Sequence, residues 1–280
     1  MALAQHADQA QTQLWNGASG RAWVDAQAVL DAMFQPFEDL LVDTVRESSA
    51  REVLDFGCGT GGTTLAIAHA VGDGGRCVGI DVSAPMIARA EQRAKDVAAR
   101  AHFVCADAER FPFAPARFDL LVSRFGVMFF ADPVRAFANL RHATRAGGAL
   151  HAFAWRSASE NPFMTTAERA AAPLLPALPA RITGAPGQFA FAEEAHVRRI
   201  LADSGWTDVA IAPLDVACTL PESALLSYIG RMGPVGVLLQ EADAATRADV
   251  LATVLQAFAP YVDGTHVHFS AACWRVTARA

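Results

Sequence analysis

One run, Val53-Leu54-Asp55-Phe56-Gly57-Cys58-Gly59-Thr60-Gly61-Gly62, constrains this chain more than any other. A strand-forming apolar stretch ends at Phe56, glycines occupy positions 57, 59, 61 and 62, and a helix-forming stretch follows at Thr63–Val71. Glycines at such a junction let the backbone bend sharply and approach a ligand closely at a helix N-terminus. A plain strand–helix turn does not require three alternate glycines and a fourth, so a ligand site is the expected use.

The same strand-then-helix unit repeats. Glu52–Phe56, Arg76–Asp81, His102–Ala106, Phe118–Phe125 and Ala149–Trp155 read as strands. Between them, Ser83 with Pro85 opens one helix reaching about Arg100, and Asp132 with Pro133 opens another reaching about Arg145. This alternation predicts an α/β fold, a Rossmann-like and mostly parallel sheet with helices on both faces. Apolar anchors from Trp15 to Leu41 predict an N-terminal helical cap over 1–48. The cofactor-binding core then spans 49–156, a Pro- and Gly-rich lid or linker 157–192, and a continuation of the core 193–220. Residues 221–262 read as a substrate-covering insertion of two helices split at Gly233-Pro234, and 263–280 as a final strand.

Composition narrows the function. Hydrophobic residues make up 52% of the 280 and charged residues 19%, which is globular. The net charge is −6 and no basic stripe occurs, against a nucleic-acid partner. Lys95 is the only lysine, in a polar helical run that reads as a solvated face. Five cysteines without a CxxC spacing predict reduced, mostly buried thiols, which fits a cytoplasmic protein. The N-terminus lacks the pattern of a signal peptide. No apolar run reaches the roughly 18 residues of a membrane span.

Two ligands fit the glycine turn. Gly57-x-Gly59-x-x-Gly62 matches the dinucleotide fingerprint, with Asp81 at about the spacing of a ribose carboxylate. Gly57-x-Gly59-x-Gly61 matches a different turn equally well. Asp55, two residues before the first glycine, would face a pyrophosphate with like charge, but it would suit an ammonium or sulfonium group. S-adenosylmethionine carries both cations. Asp81 and Asp107 follow the second and third strands, so three acids fall at the sheet edge where α/β proteins bind ligands. Singly, each also reads as an N-cap or a solvated loop acid.

The segments LDFGCGTGG, GIDVSAPM, ADAERFPF, FDLLVSRFGVMFFADP and GGALHAFAW, in this order, resemble a class I S-adenosylmethionine-dependent methyltransferase. The branch they most resemble is that of the ubiquinone/menaquinone-biosynthesis methyltransferases. The likeness covers about residues 50–156 and extends weakly to Trp15, Gly20-Arg21 and Trp23. It implies a seven-stranded sheet whose last strand, Val267–Thr277 here, runs antiparallel. It also implies S-adenosyl-L-methionine as cofactor, with Asp55, Gly57, Gly59 and Gly61 under the methionine moiety and Asp81 on the ribose. Val82 and Met86 would pack on the adenine, and Asp107 and Ala108 would meet its edge. Arg124 and Phe125 would border the methionine end, with Trp15 and Arg21 closing the pocket. The C-terminal segment shows no acceptor-specific signature.

The expected reaction is in-line transfer of a methyl group to a small, mainly hydrophobic and planar acceptor. Phe129, Trp155, Phe163, Tyr228 and Met232 are the expected acceptor pocket; Tyr228 and Met232 are spaced for one helical face, whose alternative reading is packing against the body of the domain. His266 and His268 share one strand face and are weak candidates for a general base; no metal site is expected. The rivals are an NAD(P)-dependent oxidoreductase, which lacks its Tyr-x-x-x-Lys pair here, and a non-catalytic S-adenosylmethionine-binding protein.

Overall fold

The computed structural model describes residues 11–97, 100–182 and 184–280. The first ten residues of the expected cap therefore lie outside the described residues. Residues 11–16 are helical, followed by α1 (Ala18–Asp25) and α2 (Gln27–Glu47). The strand–helix units are β1 (Glu52–Phe56), α3 (Gly62–Ala70), β2 (Arg76–Asp81), α4 (Ala84–Asp96), β3 (Ala101–Cys105), β4 (Phe118–Arg124), α5 (Pro133–Ala143) and β5 (Thr144–Trp155).

Beyond them come α6 (Pro162–Ala171), α7 (Glu194–Asp203) and β6 (Thr207–Pro221). The insertion holds three helices rather than two: α8 (Glu222–Arg231), α9 (Gly233–Glu241) and α10 (Ala244–Phe258). The extra break falls where the Asp243 carboxylate accepts from the backbone N–H groups of Ala245 and Thr246, an N-cap. The chain closes with β7 (Val262–Asp263) and β8 (His266–Arg279).

The sheet order is β3-β2-β1-β4-β5-β8-β6, with β7 pairing only β8. β1 to β5 pair in parallel, and β8 runs antiparallel to both β5 and β6. β1 and β4 are buried along most of their length, and Val53, Leu54, Leu121 and Val122 have no exposure. Such near-continuous apolar runs are what a strand covered on both faces requires. Phe37 and Leu41 of α2 are also fully buried. Each such side chain contributes roughly 1.5–3 kcal/mol.

β6 and β8 run on past the end of β5. Trp155 is level with Cys273, whereas the β6–β8 ribbon continues to Pro221 opposite His266. One face of this extension carries Val267 and Phe269, both buried, and Phe269 stacks on Phe163 of α6 at 3.9 Å between centroids. The alternation that turns these two residues inward turns His266 and His268 out into solvent. Cys105, at the end of β3, is exposed, while the other four cysteines are buried.

Candidate functional site

The three alternate glycines do different jobs. Gly57, at φ 69°, brings two strand-end turns together, and a side chain there would sit 2.6 Å from the Cα of Gly126. Gly61, at φ 83°, is the residue preceding α3, where a side chain would meet Ala90 and Phe103 at 2.8 Å. Gly59, at φ 55°, faces a cavity, and a Cβ there would find only the Met86 sulfur, at 3.6 Å. All three use the left-handed conformation that glycine adopts without steric cost.

The carboxylates also divide. Asp55 is buried beneath the turn, 1% exposed, and accepts a 2.6 Å hydrogen bond from Thr64. Burial pushes its pKa up to about 7. It lies outside the cavity wall. Asp81 does line the cavity. Its two oxygens accept at 2.9 Å from the backbone N–H groups of Gly59 and Ser83, which ties β2 to the glycine turn. Burial raises its pKa, and backbone hydrogen bonds from Ser83, Gly59 and Val82 oppose that rise. Asp107 also lines the cavity, with one oxygen accepting from Glu109 N–H at 2.9 Å.

The cavity measures about 670 Å³ and opens at the carboxyl ends of β1, β2 and β4. Aromatic rings and thioethers dominate its wall. Trp15 meets Phe129 edge-to-face at 5.0 Å, and Phe125 stacks on Trp155 at 4.7 Å. Met33, Met86, Met128, Met164 and Met232 all line it, five of the six methionines in the chain. Phe125 sits at φ 67°, a left-handed conformation rare for a bulky residue, at the turn after β4. No described histidine lines the cavity.

Of the residues singled out from sequence, Trp15, Gly57, Gly59, Asp81, Val82, Met86, Asp107, Ala108, Arg124 and Phe125 share this wall. Phe129, Trp155, Phe163, Tyr228 and Met232 line it too. Five do not. Asp55 and Gly61 lie under the turn, Arg21 points to solvent from α1, and His266 and His268 lie on the outer face of the ribbon. Ser83 begins α4, but its hydroxyl makes no cap; it donates to the Trp15 carbonyl at 2.6 Å.

Sequence reasoning missed Asn16, which donates to the Val82 carbonyl at 3.0 Å and accepts from Ala84 N–H at 2.9 Å. It also missed Glu109, a cavity-lining carboxylate paired with Arg135 and accepting from Ala131 and Asp132 N–H at 3.1 Å. Neither lies in a spacing that marks it. Among the described residues, no cluster of three or more His, Cys, Asp or Glu is placed to hold a metal ion.

Residues 53–148, from β1 into β5, match the family model described as a methyltransferase domain. This stretch is similar to a methyltransferase domain. The chain is 28% identical over 184 residues to a demethylmenaquinone methyltransferase of Renibacterium salmoninarum, covering 63% of this chain and 75% of that protein. It is 36% identical over 112 residues to a malonyl-[acyl-carrier protein] O-methyltransferase of Pseudescherichia vulneris, covering 40% of this chain and 42% of that one. Its fold is that of the YcgJ protein of Bacillus subtilis, at a TM-score of 0.57 and 14% identity over 86% of this chain and 97% of that one. The [4+2]-cyclase SpnF shares the fold at 0.51, with 20% identity over 86% and 80% of the two chains.

The residues present fit the cofactor of such a methyltransferase domain. The open side of Gly59 leaves room where any side chain would intrude. Beside it, Asp81 brings acceptor oxygens to the carboxyl edge of the sheet, where ligands of open α/β folds bind.

Proposed function

We propose that this protein transfers a methyl group from S-adenosylmethionine to a small, mainly apolar and planar acceptor. The observation that carries this reading is the continuity of one cavity. Its wall passes from Gly59 and Asp81 to the aromatic and thioether surface of Trp155, Phe163, Tyr228 and Met232. Small-molecule sites are concave and mostly apolar, with few polar groups to set orientation.

The cofactor supplies a methyl group on a sulfonium, already activated toward displacement. The chain's part is to bind and orient. Asp81 accepts from the ribose hydroxyls, while Val82 and Met86 pack the adenine. Asp107 and Ala108 meet the adenine edge. Gly57 and the Arg124–Phe125 turn border the methionine end, where the strained Phe125 backbone fixes the direction of its peptide. Phe129, Trp155 and Phe163 hold the acceptor ring against the reacting carbon. Alignment of reacting atoms at roughly 3–3.5 Å supplies most of the rate.

No described histidine stands in this wall. In this reading the outward His266 and His268 take no part. The name of the demethylmenaquinone methyltransferase relative supports a ring acceptor. A neighbour named as a [4+2]-cyclase shares the fold, so a second reading is that this chain binds S-adenosylmethionine without transferring its methyl group.

Incubation with S-adenosylmethionine and a panel of aromatic hydroxyl, quinol and amine acceptors separates the two. Mass spectrometry should find an acceptor gaining one methylene together with stoichiometric S-adenosylhomocysteine. Cofactor binding with no methylated product across the panel would favour the second reading.

A further inference from the structure

The acceptor side of the cavity is mostly apolar; its charged groups are already paired, Glu168 with Arg181 and Arg231 with Asp25, whereas one hydroxyl has only a poor partner. Tyr228, on α8, lines the cavity and, among the described residues, donates only to the Met164 sulfur, at 3.9 Å. A thioether is a weak acceptor, so most of the hydrogen-bonding capacity of this phenol is unused. The other tyrosine of the chain differs. Tyr261 accepts from the Thr166 hydroxyl at 3.4 Å and is absent from the cavity wall. Tyr228 is also held in place, because its ring stacks with Phe163 at 6.3 Å, and Phe163 in turn stacks on Phe269. Burial raises the phenol to about 12, so it keeps its proton near neutrality and remains a donor.

We propose that Tyr228 is a specificity-determining residue whose hydroxyl donates to an oxygen carried by the acceptor ring. The inference rests on the methyl-transfer reading of the cavity and names the acceptor class within it: a planar apolar ring bearing a hydroxyl or carbonyl oxygen. Met164, Met232 and Phe163 pack the ring, while Tyr228 selects the oxygen and fixes the ring's rotation. A site built to hydrogen-bond an oxygen rejects the analogue lacking it, because its polar group is then left without a strong partner.

The test uses two probes of similar size, 1-naphthol and 1-methylnaphthalene, binding to the full chain in the presence of S-adenosylhomocysteine. Binding is read from the fluorescence of Trp15, Trp23 and Trp155, which line the same cavity. Wild type should prefer the naphthol. Tyr228→Phe should weaken naphthol binding about five- to tenfold and leave methylnaphthalene within about twofold. Equal losses for both probes would overturn the proposal, since Tyr228 would then only pack. No loss for either, or no binding of either probe to wild type, would overturn it as well. S-adenosylmethionine titrated into the same proteins, free of S-adenosylhomocysteine and probe, tests the underlying reading separately. A chain that does not bind it fails as a methyltransferase whatever the naphthol result.

Discussion

The hydroxyl of Ser83 donates to the backbone carbonyl of Trp15 at 2.6 Å, which fastens the N-terminal segment to the corner between β2 and α4. Asn16 adds two bonds to the same corner, through Val82 and Ala84. Residues 11–23 thereby become one wall of the cavity rather than a loose arm. Ser83→Ala and Asn16→Ala should each weaken S-adenosylmethionine binding about three- to tenfold, chiefly through faster dissociation. Stopped-flow fluorescence of the cavity tryptophans measures this; unchanged dissociation in both variants would show that the fastening is irrelevant to the site.

The glycines of the turn should respond in two ways. Gly57→Ala and Gly61→Ala force a side chain against Gly126 or against Ala90 and Phe103, so both should lower the melting temperature strongly. Gly59→Ala meets open space, so its stability loss should stay near the ~1–2 kcal/mol of a left-handed alanine. Its cofactor affinity should still fall at least about tenfold, because the new methyl occupies ligand space. Thermal melts paired with calorimetry would expose an error if Gly59→Ala binds normally.

Asp55 gives the fold a pH dependence. Its ordinary value of 3.8 is raised to about 7 by burial. An unfolded chain ionises this group near pH 4 while the folded chain holds the proton. Stability from this site is therefore fully present below about pH 4, declines as pH rises toward 7, and is flat above. The range amounts to a few kcal/mol at most, since each tenfold difference in proton affinity between the two states is worth about 1.4 kcal/mol. Asp55→Asn keeps an acceptor for Thr64 and removes the titration. It should melt higher than wild type at pH 8, with the gap much narrower at pH 5; parallel melting curves across that range would contradict this role for Asp55.

Much of this was legible in the sequence, and for a physical reason. β1, β2, β4 and the second half of β5 are covered on both faces, so they appear as unbroken apolar runs between glycine or cap signals. The cavity residues that follow strand ends were legible from the same logic. α6 was not, because Pro162 and the pair Thr165-Thr166 interrupt its apolar period. The sequence marks Asp55 as an acid before a glycine turn, but only the packing of α3, which brings Thr64 onto it, shows that it lies beneath the site. His266 and His268 share a face as their spacing requires, yet which face is set by Phe269 stacking on Phe163.

That placement yields a further expectation. His266→Ala and His268→Ala should leave methyl transfer unchanged, since both side chains are exposed and outside the cavity. Met232→Ala should alter acceptor turnover several-fold while cofactor affinity stays within about twofold, a split that steady-state kinetics and calorimetry resolve together. Loss of turnover in either histidine variant would return a base to the mechanism.

The most direct measurement is titration calorimetry of S-adenosylmethionine into the wild-type chain and Asp81→Ala, with melting temperatures taken for both. Asp81 anchors Gly59 and Ser83 and presents its carboxylate to the cavity. Saturable binding to the wild type is expected, with at least about a tenfold loss in the variant, as hydrogen bonds to a charged group require. Equal affinities in two folded proteins, or no heat from S-adenosylmethionine with the wild type, would contradict the assignment of this cavity to the cofactor.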